Sequence, residues 1–271
     1  MTRFANRTQE LHRFEQMLRR QVPERILLVE APSGYGKTRL MGRFERLCSQ
    51  GIHPGSQGIH PVLIDLKGAQ AGILDVFSRI QRVLGTQRFP NYNAQSDRYF
   101  NAQSDRFLNS GVEIQNNRLT GEGSQIQVSL DVPPDERKDR LIQLQQVFFE
   151  DLERFDRPIA FILDTYNGAT EELAGWIESQ FLAEVALNPK LFAIVAGQNI
   201  PQPAIEWQNL HHPCKLDRIM EREAWYGYVQ DVGFDCFSCQ EEIDVLIDAV
   251  GGVPAQVVLL LEGAARTRQQ I

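Results

Sequence analysis

Cysteine is scarce in this chain: four in 271 residues, Cys48, Cys214, Cys236 and Cys239. Disulfide-built scaffolds carry far denser frameworks, so that class is excluded and a reducing, cytoplasmic setting is expected. Long apolar runs are missing as well. No stretch reaches the ~20 residues of a membrane span, and the opening MTRFANRTQE lacks the apolar centre of a secretory leader. Excess positive charge is the third absence. Lys and Arg total 28 against 35 Asp and Glu, a formal charge of −7. Neutralising a phosphate backbone needs a basic surface, so nucleic acid is not expected as a partner, although a local basic patch remains compatible.

What is present suits a globular α/β protein. The composition is 42% hydrophobic and 23% charged, and the length supports a sizeable core. Helical spacing of Leu11, Phe14, Met17 and Leu18 marks a first helix over 8–20, stopped by Pro23. Ile26 to Val29 reads as a buried strand before a glycine-rich turn, with a helix from Arg39 to Cys48. Val62 to Leu66 reads as a second strand, and Ile73, Phe77, Ile80 and Leu84 as the next helix. Leu141, Leu144, Phe148, Leu152 and Phe155 form one stripe. Ile159 to Leu163 and Leu191 to Ala196 are further strands, with a helix through Leu173, Trp176, Ile177 and Phe181 between them. Lys215-Leu216 is a candidate fifth strand, and helices fill the rest from Arg218, broken at Gly251-Gly252 and Pro254.

Strands alternating with helices predict a parallel sheet covered on both faces, an α/β/α sandwich. The division is a sandwich over 1–210 and a helical lid over 211–271. Residues 86–125 are polar and read as an insertion, partly disordered. Two short repeats, Gly-Ile-His-Pro at 51–54 and 58–61 and NAQSDRYF/NAQSDRFL at 93–108, read as duplications in surface loops.

The segment Ala31-Pro-Ser33-Gly34-Tyr35-Gly36-Lys37-Thr38 lies between a strand and a helix. It fits G-x-x-x-x-G-K-[ST] with Ala31 in place of the first glycine. The pattern has a direct physical reading. Gly34 and Gly36 let backbone N–H groups converge on phosphate oxygens. The helix beyond them, entered at Lys37, Thr38 and Arg39, offers its positive end to an anion. Lys37 supplies charge at the β- and γ-phosphates, and the Thr38 hydroxyl is a ligand for Mg²⁺.

A metal-phosphate site also needs a carboxylate, usually at a strand end. Asp164 ends the apolar run Ile159–Leu163, while Asp65 and Glu30 are competitors. Asp164 is followed by Thr165 where many P-loop ATPases carry a water-activating glutamate. Loss of such a base lowers hydrolysis by roughly 10²–10⁴.

The order of these motifs resembles the nucleotide-binding core of the STAND class of P-loop ATPases, relatives of NACHT and NB-ARC switches within the AAA+ group. Phe4-Ala-Asn6-Arg7 with Glu10-Leu11 is similar to the family's amino-terminal motif beside the adenine. APSGYGKT and FILD resemble its Walker A and Walker B segments, Phe192 to Gln198 its sensor-1 strand, and Gly252-Val-Pro254 its lid motif. The resemblance implies ATP or ADP with Mg²⁺, held by Phe4, Arg7, Ser33 to Arg39, Gln198 and Pro254, with Asp164 and Lys37 catalytic and Thr38 and Asp164 on the metal. It further implies a nucleotide-dependent switch or scaffold in signalling or defence, with a protein partner or self-association. Three departures bear on activity. Gln198 stands where the family often has arginine, Thr165 replaces the second acid, and the winged-helix domain that usually follows the lid has no counterpart within these residues. Weak or absent hydrolysis is therefore expected. An active AAA+-like ATPase working in an oligomer is the alternative, and a P-loop kinase a further one.

Other constellations read more plainly. Cys236-x-x-Cys239 with His211, His212 and Cys214 is a weak zinc pattern. Trp176, Trp207 and Trp225 read as core or lid packing. Arg137, Lys138 and Arg140 begin an acid-mixed helix and read as a solvated face, with an arginine finger in trans as the sharper alternative.

Overall fold

Strand β1 (Ile26–Glu30) sets the layering. Side chains alternate across a strand. Here both sets are buried: Ile26 and Leu28 join one apolar cluster, Leu27 and Val29 another. A strand buried on both faces needs helices on both faces. The computed structural model, which describes residues 6–50, 58–68, 72–109, 133–234, 237 and 239–268, supplies them.

In chain order the elements are α1 (Thr8–Leu18), β1, α2 (Lys37–Gln50), β2 (His60–Asp65), α3 (Ile73–Leu84), α4 (Pro90–Asn109), α5 (Pro134–Glu153), β3 (Ile159–Asp164), α6 (Glu171–Trp176), α7 (Leu182–Leu187), β4 (Leu191–Gly197), β5 (His211–Lys215), α8 (Arg222–Val232), α9 (Gln240–Ala249) and α10 (Pro254–Arg268). The five strands form one parallel sheet in the order β2-β3-β4-β1-β5. Phe14 and Met17 of α1 and Leu40, Met41 and Phe44 of α2 cover one face. The other face carries α3, α4, α5, α6 and α7, with Phe77 stacked on Phe148 at 4.2 Å and Phe148 on Phe89 at 5.1 Å. The three-layer α/β/α arrangement expected from the sequence is the one found. No described helix is long and apolar enough to cross a membrane.

Two expectations are corrected. The fifth strand is His211–Lys215 rather than Lys215-Leu216. It is an edge strand, half-exposed and with Pro213 at its centre, so it carries no apolar run to announce it. The other edge, β2, carries Pro61. The octapeptide repeat at 93–108, read as a duplication in surface loops, lies within a helix over Pro90–Asn109 that runs through both copies. Phe89 and Tyr92 are fully buried at its start, and Arg140 lies over the Tyr99 ring at 4.8 Å while pairing with Glu136 at 2.7 Å. Arg140 is thus packed between α4 and α5 and does not project as a finger. Residues 110–132, the first Gly-Ile-His-Pro and Cys236 lie outside the described residues.

The lid helices α8, α9 and α10 enclose a third apolar cluster of Ile219, Trp225, Tyr228, Ile243, Ile247, Val257 and Leu261. Gly251 and Gly252 have φ of 57° and 68°. They are no free hinge. A Cβ on Gly252 would meet Met220 Sδ at 2.5 Å and Ile219 O at 2.6 Å, and Gly252 O accepts the Ile219 N–H at 2.9 Å. The dipeptide is clamped inside the lid, so α10 belongs to one body with α8 and α9. The lid joins the sheet through Asp217-Arg218, just past Leu216, whose N–H still bonds Glu30 O at 2.9 Å.

Helix α4 begins with an N-cap borrowed from another helix. Buried Asp151 on α5 accepts the N–H of Tyr92 at 2.9 Å and of Asn91 at 3.4 Å. A helix start leaves such donors unpaired, and burying them unpaired is costly. Asp151→Ala should therefore lower stability by about 1–3 kcal/mol in urea unfolding, with hydrogen exchange accelerated first across residues 90–99. An unchanged midpoint would show that the carboxylate does no capping.

Candidate functional site

Between β1 and α2 the chain must turn from strand to helix in six residues. Gly34 and Gly36 make the turn at φ of 84° and 88°, where a Cβ is disfavoured. A Cβ on Gly36 would find nothing within 4 Å, so space is open beside that peptide. The first backbone bond of α2 runs from Leu40 N–H to Gly36 O at 3.0 Å. The N–H groups ahead of it, from Lys37 to Arg39, have no intrahelical acceptor. Lys37 curls back over its own loop, Nζ donating to Ala31 O at 2.6 Å and Pro32 O at 2.8 Å. Partial burial lowers its ammonium pKa, and the Asp164 carboxylate opposes that shift.

Asp164 ends β3 almost fully buried, with Oδ1 accepting the Thr165 N–H at 2.8 Å. Beyond it the backbone turns left-handed at Thr165, φ 59°. On β4, Gly197 sits where a Cβ would lie 2.2 Å from Asn199 O, so only glycine allows the reversal that places Gln198. The Gln198 N–H donates to Asn167 Oδ1 at 3.0 Å.

These groups surround a cavity of about 400 Å³. Its wall brings together Arg7, Ser33, Gly34, Tyr35, Gly36, Lys37, Thr38, Arg39, Asp164, Gln198 and Pro254, every residue the resemblance assigns to nucleotide or metal except Phe4, which lies outside the described residues. Glu30 and Asp65 are not on that wall. Asp65 pairs in register with Asp164, but its Oδ1 accepts the Lys67 N–H at 3.0 Å on an exposed strand end. The lid closes the cavity with Ile219, Trp225, Tyr228, Ala255 and Val258. Sequence reasoning placed Trp225 in packing alone. It is fully buried, with Nε1 donating to Ile219 O at 2.9 Å, and it also forms cavity wall. Asn167 was missed; its signal is its place three residues past the strand-end acid.

Arg7 enters the site through strained backbone. Asn6 and Arg7 have φ of 44° and 116°, and Asn6 Oδ1 steadies the turn by accepting the Arg7 N–H at 2.8 Å. The buried guanidinium uses Nη2 to bridge Tyr35 O at 3.1 Å and Asp217 O at 2.7 Å. It therefore ties the loop after β1 to the lid connector.

The Cys/His pattern does not assemble among the described residues, which hold no group of three metal-binding side chains. Burial pushes the Cys214 thiol up to about 12.

No family model matches the chain, and no curated relative matches it. Among solved structures it is similar to the Walker-type ATPase PABY2304 of Pyrococcus abyssi, at 16% identity and a TM-score of 0.49, over 98% of this chain and 71% of that one.

Two glycines six positions apart, Gly36 in the turn and Gly42 in α2, should respond oppositely to alanine. Gly36→Ala places a Cβ on left-handed backbone and should cost about 1–2 kcal/mol in chemical unfolding. Gly42→Ala, inside α2 with open space around it, should stabilise by about 0.5–1 kcal/mol. Equal effects would show that the loop relaxes out of its strained conformation.

Proposed function

We propose that the chain binds a nucleoside triphosphate, ATP or its product ADP, with Mg²⁺, in the crevice between sheet and lid. In this reading it serves as a nucleotide-dependent switch or scaffold with weak or absent hydrolysis. The observation that carries the reading is the cavity wall. It joins Lys37 and Thr38 at a helix start, Asp164 at a buried strand end, Gln198 between them in the sheet order, and Pro254 from the lid.

The residues fit the groups assigned to them. The Gly36 peptide opens on unfilled space, as a phosphate cradle requires. Thr38 and Asp164 offer the hard oxygen donors that Mg²⁺ prefers, and the ion would neutralise phosphate charge there. Lys37, held on its own loop carbonyls, has a ready exchange of those acceptors for phosphate oxygens. The apolar lid wall of Ile219, Trp225, Tyr228 and Val258 suits a base and ribose better than solvent.

The strand-end groups beyond Asp164 argue for slow chemistry. Thr165, Asn167 and Gln198 are neutral, so among the described residues the wall offers no second carboxylate to take a proton from water. The switch reading draws on the lid having its own core and a two-residue connector, so nucleotide touching both bodies shifts their relative position by differential affinity. The signalling or defence assignment, and a protein partner or self-association, come from the STAND resemblance. A kinase reading has less support, since the lid wall is apolar rather than arginine-rich.

Calorimetric titration with Mg-ATP checks the binding claim. Lys37→Ala should weaken affinity by about 100-fold, near 3 kcal/mol, and equal affinities would remove the P-loop assignment. Turnover should fall well below the ~10 s⁻¹ typical of enzymes. A robust rate abolished by Asp164→Ala would instead favour an active ATPase, with oligomer formation deciding for the AAA+-like alternative.

A further inference from the structure

The carbonyls of the loop are nearly all engaged, and two are engaged from outside it. Lys37 Nζ takes Ala31 O and Pro32 O, and Leu40 N–H takes Gly36 O. Gly34 O accepts the N–H of Ala255 at 2.9 Å, and Tyr35 O accepts Arg7 Nη2 at 3.1 Å. Ala255 lies in the first turn of α10, where an N–H has no intrahelical partner. Arg7 also holds Asp217 O in the lid connector. Above them, Arg218 Nε donates to the Tyr35 hydroxyl at 3.2 Å.

Peptide geometry makes these bonds more than docking. A trans peptide is planar, with its N–H and C=O pointing opposite ways. The Gly34 carbonyl shares a peptide with the Tyr35 N–H, and the Tyr35 carbonyl shares one with the Gly36 N–H. Whatever holds those carbonyls fixes the two peptide planes and turns those N–H groups to the opposite side. Conversely, an anion that gathers the N–H groups presents the carbonyls to Ala255 and Arg7. Lid docking and phosphate capture are two sides of the same two peptide planes.

We infer that the phosphate chain by itself closes the lid, through the Gly34 and Tyr35 peptides, so that inorganic triphosphate with Mg²⁺ suffices and a base is not required. The inference rests on the reading of this loop as a phosphate site, and it goes beyond a lid held by base and ribose. Linkage makes the effect reciprocal: loosening the lid weakens triphosphate binding by the same factor as triphosphate tightens the lid.

The experiment is hydrogen exchange across residues 216–268 of the whole chain, with Mg-ATP, with Mg²⁺ and inorganic triphosphate, and with adenosine. Inorganic triphosphate should protect residues 216–220 and 252–258 as ATP does, whereas adenosine should not. Ala255→Pro replaces the N–H that Gly34 O accepts by a ring carbon, in a first helix turn that tolerates proline. It should abolish that protection and weaken triphosphate binding about fivefold, the scale of one hydrogen bond. Arg7→Met, which keeps the apolar stem and loses the bridge, gives the same readout if the proline variant fails to fold. ATP that fails to bind the unaltered chain overturns the nucleotide reading itself. ATP that protects the lid while inorganic triphosphate does not bind, or binds without protecting it, overturns this inference and leaves that reading standing. Full lid protection in both variants overturns it as well.

Discussion

Parallel pairing of β4 with both β1 and β3 is the constraint on which the cavity depends. Glu30 stands opposite Gly197 and Leu163 opposite Val195, so three strands finish level at one edge of the sheet. A parallel sheet places every carboxyl end on that same side. The loop after β1, the acid ending β3 and the reversal after β4 therefore open into one space. Hydrogen-bond register does the positioning, and the fully buried strand residues hold the register, since a one-residue slip would turn each inner side chain to the opposite helix layer.

Much of this was legible in the chain. The Gly34-Tyr35-Gly36-Lys37-Thr38 run declares a strand–turn–helix with unpaired N–H groups, because only glycine takes φ near 85° without strain. Asp164 was separable from Asp65 by the longer apolar run before it. What was hidden had a common cause: partners distant in sequence. Strand β5 is ordered by pairing with β1, not by its own residues, two of them histidine and one proline. Helix α4 has a polar composition and starts from a cap supplied by Asp151, about 60 positions away. Gly251-Gly252 reads locally as a break between helices, yet the approach of Ile219 and Met220 turns it into a rigid corner.

The lid and the sheet have separate apolar clusters, and polar contacts join them. Such a seam is weaker than a shared core, because an intramolecular hydrogen bond contributes only about 0.5–1.5 kcal/mol net. A joint of that strength responds to a ligand, whereas continuous packing would resist one. The strained Asn6-Arg7 backbone belongs to the same economy of small differences. Strain of about 1–3 kcal/mol persists where surrounding contacts over-determine it, and here it aims a buried guanidinium at two carbonyls on opposite sides of the seam.

The duplicated octapeptide in α4 has a consequence in heredity rather than energetics. A helix turns once in 3.6 residues, so eight added residues lengthen it by about 12 Å and turn its far end by about 80°. Copying in units of seven would have kept one stripe facing one way. Copying in eights extends a rod and re-aims its far end in a single genetic event, while Phe89 and Tyr92 at its root keep their places in the core.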